Sequence, residues 1–102
     1  MPRVQILRAA ELSPGQGKVV EVDGHELAVF NVAGSFHVLS NICPHVGGPL
    51  GEGTLNGQMV TCPWHGWRFD VTTGGNELGR KRAECFDTQV EGDWVTVELP
   101  QA

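Results

Sequence analysis

The sequence predicts an all-β fold of several small antiparallel sheets. Three observations carry that expectation. Glycine supplies 14 of 102 residues, about twice its usual share, which means many tight turns. Short β-rich runs recur along the chain with turn residues between them. Helical propensity is confined to Arg8–Leu12, a segment too short to hold a helix alone.

The elements follow in order. Val4–Leu7 is an opening strand, and Ser13-Pro14-Gly15 supplies turn chemistry. Lys18–Val22 and Glu26–Val32 flank Asp23-Gly24, a strong short signal for a hairpin because both turn residues tolerate positive φ. Ser35–Leu39 follows a second turn at Ala33-Gly34, and Gln58–Thr61 and Trp67–Val71 are two further short strands. Glu84–Val90 and Trp94–Leu99 flank Glu91-Gly92-Asp93 as a closing hairpin. No repeat, linker or low-complexity segment interrupts the chain, so residues 1–102 are expected to form one domain.

Composition narrows the function. An apolar fraction of 40% allows a core, but a small one, and chains of this size often need a metal or disulfides as a staple. Twelve acidic residues against seven basic ones leave a net charge of −5. That balance argues against nucleic-acid binding and against an anionic membrane surface. The longest apolar run, Leu27–Phe30, is far short of a membrane span. The N-terminal stretch lacks the apolar run and cleavage site of a secretory signal, so a cytoplasmic location is expected. Three cysteines, Cys43, Cys62 and Cys85, fit a metal site or free thiols better than a disulfide framework.

The chemistry sits in two short motifs. Cys43-Pro44-His45 and Cys62-Pro63-Trp64-His65 are near copies, separated by the sixteen residues from Val46 to Thr61. Each offers one thiolate and one imidazole, and each is followed by glycine. Eight of the fourteen glycines lie between Gly47 and Gly75, where close backbone approach around a compact inorganic centre needs them. Two Cys and two His can hold a tetrahedral zinc ion. A mixed pair on each loop also suits a two-iron cluster, one iron taking both thiolates and the other both imidazoles.

The pattern Cys43-Pro44-His45-x16-Cys62-Pro63-Trp64-His65 resembles the binding motif of the Rieske-type [2Fe–2S] proteins, and among them the small soluble Rieske ferredoxins. The resemblant block, Asn41 to Gly74, covers about a third of the chain. The resemblance implies one [2Fe–2S] cluster, with Cys43 and Cys62 on an inner iron and His45 and His65 on an outer one near the surface. It further implies three stacked antiparallel sheets with the cluster at one tip between two ligand loops.

The neighbours of the ligands depart from the high-potential members of that family. Those carry a disulfide between the ligand loops, where this chain has Gly48 and Trp64. They also carry a serine and a tyrosine whose hydroxyls bond the cluster sulfurs, where this chain has Trp67 and Phe69 and no tyrosine anywhere. Each missing donor removes stabilisation from the reduced, more negative cluster. The expected potential therefore lies at the low end of the Rieske range, roughly −150 mV.

Two functions follow from the resemblance. The favoured one is a one-electron carrier, not itself an enzyme, that takes electrons from a flavin-containing reductase and delivers them to a terminal oxygenase. The alternative is the small Rieske subunit of an assimilatory nitrite reductase, beside its large subunit. A free-standing oxygenase needs a second iron site of two histidines and a carboxylate. Only His25 and His37 remain for it, both in or beside strand segments without ligand spacing.

Four further features carry expectations. Cys85 reads as a small buried apolar residue of a strand. Trp64, between two ligands, is either an exposed docking contact or a packing lid, and Trp94 reads as a core or sheet-surface aromatic. Arg80-Lys81-Arg82 is the one cationic run; it reads as a solvated loop or, more sharply, as a docking patch for an acidic partner surface. The loop that holds it, Asn76 to Arg82, lacks the proline that the resemblance implies for a cluster-covering loop.

Overall fold

The apolar run Leu27–Phe30 becomes the centre of the fold because both of its faces are buried. It lies in strand β3 (His25–Val32), the longest strand of the computed structural model, which describes residues 3–42, 48–64, 66–76 and 82–99. Side chains alternate across a strand. Leu27 and Val29 therefore pack one way, with Leu7, Val38, Val95 and Val97, while Ala28 and Phe30 pack the other way, with Leu39, Leu50, Val60 and Phe69. A strand buried on both faces reads as a continuous apolar run rather than an alternating one.

Around it stand β1 (Arg3–Arg8), β2 (Gly17–Val22), β4 (Ser35–Ser40), β5 (Thr54–Asn56), β6 (Met59–Thr61), β7 (Arg68–Asp70), β8 (Cys85–Glu91) and β9 (Trp94–Glu98). They form a six-stranded sheet in the order β1-β9-β8-β4-β3-β2 and a three-stranded sheet β5-β6-β7, with every strand pair antiparallel. The all-β expectation holds. The sheet count needs a physical correction: three stacked layers are present, but two of them share one hydrogen-bonded sheet. Only Val38↔Phe86 and Leu39↔Cys85 join β4 to β8. The sheet must fold at that narrow seam, because β3 and β9 share a core although two strands separate them in the sheet. One core lies between the β1-β9-β8 and β2-β3-β4 layers; the other lies between β2-β3-β4 and β5-β6-β7.

Local chemistry accounts for the joints. Asp23 and Gly24 both take positive φ (50° and 81°), as a two-residue hairpin turn requires. Arg8–Leu12, the one stretch of helical propensity and too short for a helix alone, forms a 3-10 turn over Ala9–Glu11, in which the Glu11 carboxylate accepts the Arg8 N–H at 2.7 Å. Strand β5 has no counterpart in the sequence reading. It has one partly buried apolar residue, Leu55, and forms by pairing with β6 through Leu55↔Val60. At the far layer the Arg3 guanidinium lies 3.3 Å from Asp87, 3.5 Å from Glu91 and 3.6 Å from Glu98, tying β1 to β8 and β9. The Arg8 guanidinium sits 4.8 Å from the centre of the Trp94 ring, which makes Trp94 a cation–π platform.

Candidate metal centre

Of the four expected ligands, Cys62 is described; Cys43, His45 and His65 lie outside the described residues. Cys62 directly follows β6 and is 1% exposed, within the inner core that holds Phe30, Leu50 and Phe69. Its backbone N–H donates to the Trp67 carbonyl at 2.7 Å. That bond closes a tight loop carrying Pro63, Trp64 and Gly66.

The residues that flank the first motif meet each other. The backbone of Ile42 bridges that of Pro49, and the Leu50 N–H donates to the Asn41 carbonyl at 2.8 Å. The chain that leaves β4 thus returns to its starting point, and Cys43 and His45 fall inside the excursion. Gly48, on the return, is buried. A Cβ there would stand 2.9 Å from the Cys62 sulfur and 2.9 Å from Trp64 Cγ. Only glycine fits, so the first loop's backbone rests against the sulfur of the second.

This arrangement fits the group that the donor set implies. One loop brings a thiol that is shielded by the core on one side, and the other loop approaches that sulfur through Gly48, where a Cβ would meet it. In sequence, the first loop adds a candidate thiolate and imidazole, Cys43 and His45, and the second adds one imidazole, His65. Gly48 and Trp64 are in contact at the place where high-potential members carry their disulfide. Phe69 is fully buried and Trp67 packs against the same core, so both positions that carry hydroxyls in those members are apolar here.

A third loop starts beside the second. Asn76 bridges Phe69 and donates from its side chain to the Arg68 carbonyl at 2.8 Å, while Gly75 bridges Arg82. Arg82 is exposed and its guanidinium donates to the Thr73 carbonyl at 2.6 Å. Arg80 and Lys81 lie outside the described residues. Below this loop, Asp70 accepts from Gln58 and from the Thr72 N–H and hydroxyl at 2.7, 2.8 and 2.5 Å. Burial alone would raise the Asp70 carboxyl, but these hydrogen bonds and the nearby His37 outweigh it and hold it below the ordinary carboxylate range.

Two expectations about single residues change. Trp64 is 51% exposed and Ile42, next to Cys43, is 58% exposed. Trp64 is therefore an exposed indole rooted on Gly48 rather than a buried lid. Cys85 is not a buried apolar filler: it is exposed at the head of β8. Its sulfur still lies against the Gly74 backbone, and partial desolvation raises its thiol above the usual value despite Arg82 nearby. A raised thiol is a poor nucleophile. His25 and His37 sit half-buried in β3 and β4, and His25 packs edge-on against Phe86 at 6.5 Å between ring centres. Asn41 was not singled out from the sequence, where it is one polar residue ahead of Cys43; its buried amide emerges only in three dimensions.

The comparisons agree with this geometry. The profile of the Rieske [2Fe-2S] domain matches residues 3–96. The ferredoxin component of the naphthalene 1,2-dioxygenase system of Pseudomonas aeruginosa is 32% identical over 91 residues, covering 87% of this chain and 88% of that protein. Apoptosis-inducing factor 3 of Mus musculus is 34% identical over 94 residues, covering 90% of this chain, which spans only 16% of that protein's length. Among solved structures, a chain of the complex of reduced oxygenase and oxidized ferredoxin in carbazole 1,9a-dioxygenase superposes with a TM-score of 0.87 at 31% identity, covering 93% of this chain and 91% of that one. A putative nitrite reductase small subunit shares the fold, with a TM-score of 0.82 over 97% of this chain and 100% of that chain, at 18% identity. Among the described residues no helix is long and apolar enough to cross a membrane. With its two motif segments meeting at a buried cysteine and the family profile running through nearly all of its strands, the chain belongs to the Rieske [2Fe–2S] domain family, which implies one Rieske-type cluster.

Proposed function

We propose that Cys43, His45, Cys62 and His65 hold the cluster, that residues 1–102 form one Rieske domain, and that it works in the cytoplasm. In this reading it carries single electrons at low potential from a flavin-containing reductase to a terminal oxygenase. The observation that carries the reading is the approach of Gly48 to the Cys62 sulfur, which joins the two motif loops at one ligand atom. The bound cluster supplies a centre that accepts and releases one electron without binding substrate. The chain's own residues do the rest. Leu50, Val60 and Phe69 pack behind Cys62 and keep water from the inner side. The bond from Cys62 to Trp67 fixes the second loop. Trp64 and Ile42, next to the two motifs in sequence, present exposed apolar side chains, suited to a partner whose redox centre must come close without trapped water.

The oxygenase partner is supported by the likeness to ferredoxin components of dioxygenase systems. A nitrite reductase large subunit has only a fold-level likeness behind it. The test is metal and sulfide analysis of the purified protein, followed by its reduction and mixing with a Rieske oxygenase. About two irons and two sulfides per chain, and oxidation by the oxygenase on mixing, support the reading. Loss of both irons in Cys62→Ser ties the cluster to that loop. A chain that holds one zinc and no sulfide overturns it.

A further inference from the structure

The neck of the first ligand loop is held by a side chain with no part in ligation. Asn41 is 3% exposed and directly follows β4. Its backbone N–H donates to the Glu26 carbonyl at 2.9 Å and its carbonyl accepts from Leu50. Its side-chain oxygen accepts the buried Gly51 N–H at 2.7 Å, and its side-chain nitrogen donates to the Glu26 carboxylate at 3.1 Å. Asn41 therefore bonds the outgoing strand, the returning chain and β3 together at one point.

The returning side is equally confined. Leu50 is fully buried in the inner core. A Cβ on Gly51 would stand 2.6 Å from Val19 Cγ2 and 2.9 Å from the Asn41 side-chain oxygen. The turn is thus pressed flat between β2 and the amide, with no slack to absorb a shift. One residue, Ile42, separates Asn41 from Cys43 on one side, and two, Pro49 and Leu50, separate Gly51 from Gly48 on the other. A displacement at the neck passes directly to both the expected ligand and the glycine that touches the Cys62 sulfur.

We propose that Asn41, oriented by Glu26, is a positioning residue that sets the first ligand loop against Cys62 and so determines how tightly the cluster is caged. This rests on the ligand assignment above. A neck without this amide leaves the Gly51 N–H buried and unpaired and lets the loop open. The cluster is then released faster, and the fields at its sulfurs change with loop position.

The test uses the cluster-loaded protein and reads the rate of bleaching by an iron chelator together with the electron paramagnetic resonance (EPR) spectrum of the reduced state. Asn41→Ala is expected to speed cluster loss about tenfold and to shift the reduced spectrum. Asn41→Asp keeps the acceptor for Gly51 but sets two carboxylates against each other, and it too speeds loss. Combining Asn41→Asp with Glu26→Gln reverses the direction of the bond between them, so loss returns to within about twofold of wild type. That pair of variants carries the test even where Asn41→Ala fails to fold. Arg3→Ala, which loosens the far layer, is expected to leave both readouts unchanged. Wild-type loss rates and spectra in both Asn41 variants, or no rescue by the double variant, overturn the proposal. A wild-type chain that binds no cluster overturns the ligand assignment instead.

Discussion

The two cores of this protein are built differently. The outer one lies between strands of five to eight residues, β1, β9, β3 and their neighbours, and is filled by Leu7, Leu27, Val29, Val95 and Val97. The inner one faces β5, β6 and β7, each three residues long, and is bordered by glycine-rich loops. A three-residue strand buries too little to hold itself in place. The inner layer instead relies on side-chain amides and carboxylates, namely Asn41, Asp70 and Asn76, each bonded to loop backbone or neighbouring side chains. The contrast teaches a division of labour. Apolar burial folds the outer two layers, and the cluster completes the third, as metal binding and folding are coupled in small domains.

The largest effect should come from Cys62→Ser. It removes a ligand and is expected to abolish the cluster. Amide exchange should then rise across β5–β7 while β3 and β9 stay protected; uniform loss of protection would deny the division. Leu27→Ala strikes the opposite core. It should cost about 2–5 kcal/mol in global stability by denaturant unfolding, while the spectrum of the cluster in the surviving folded fraction stays unchanged. Gly48→Ala is intermediate. Its methyl group meets the Cys62 sulfur, so iron content per chain should fall severalfold with little change in the outer strands.

Smaller effects lie at the edges. Arg3 is mostly covered but its acidic partners are well exposed, so Arg3→Ala should cost no more than about 1 kcal/mol per ion pair and lose that difference in high salt. For Asp70 the sign is fixed by its lowered carboxyl. The stability it lends is present above the unfolded value of 3.8 and is lost as pH falls through the lower folded value. Asp70→Asn should therefore lower stability at neutral pH, where that contribution is complete, and the difference from wild type should shrink and vanish as pH falls below about 4.

Much of this was legible in the chain. The turn dipeptide Asp23-Gly24 and the run Leu27–Phe30 announced β2 and β3 because local chemistry decided them. The four candidate ligands stand out in the sequence because a thiolate and an imidazole at short, repeated spacing rarely serve another purpose; of them the described residues include Cys62 alone. Strand β5 was not, since Thr54-Leu55-Asn56 has little pattern of its own and forms by pairing with β6. Cys85 was misread because its strand position said nothing of its place at the narrow seam between layers, where one side of β8 opens to solvent. Asn41 was illegible for a related reason: its partners, Glu26 and Gly51, are fifteen and ten residues away.

The central claim is a Rieske cluster held between two loops, with Trp67 and Phe69 in place of two hydroxyl donors. The most direct measurement is a redox titration of aerobically purified protein followed by absorbance and EPR. The account predicts a red-brown protein, a reduced signal of low mean g, and a midpoint near about −150 mV. A colourless, spin-silent protein holding one zinc would contradict the cluster, and a midpoint several hundred millivolts higher would contradict the reading of Trp67 and Phe69.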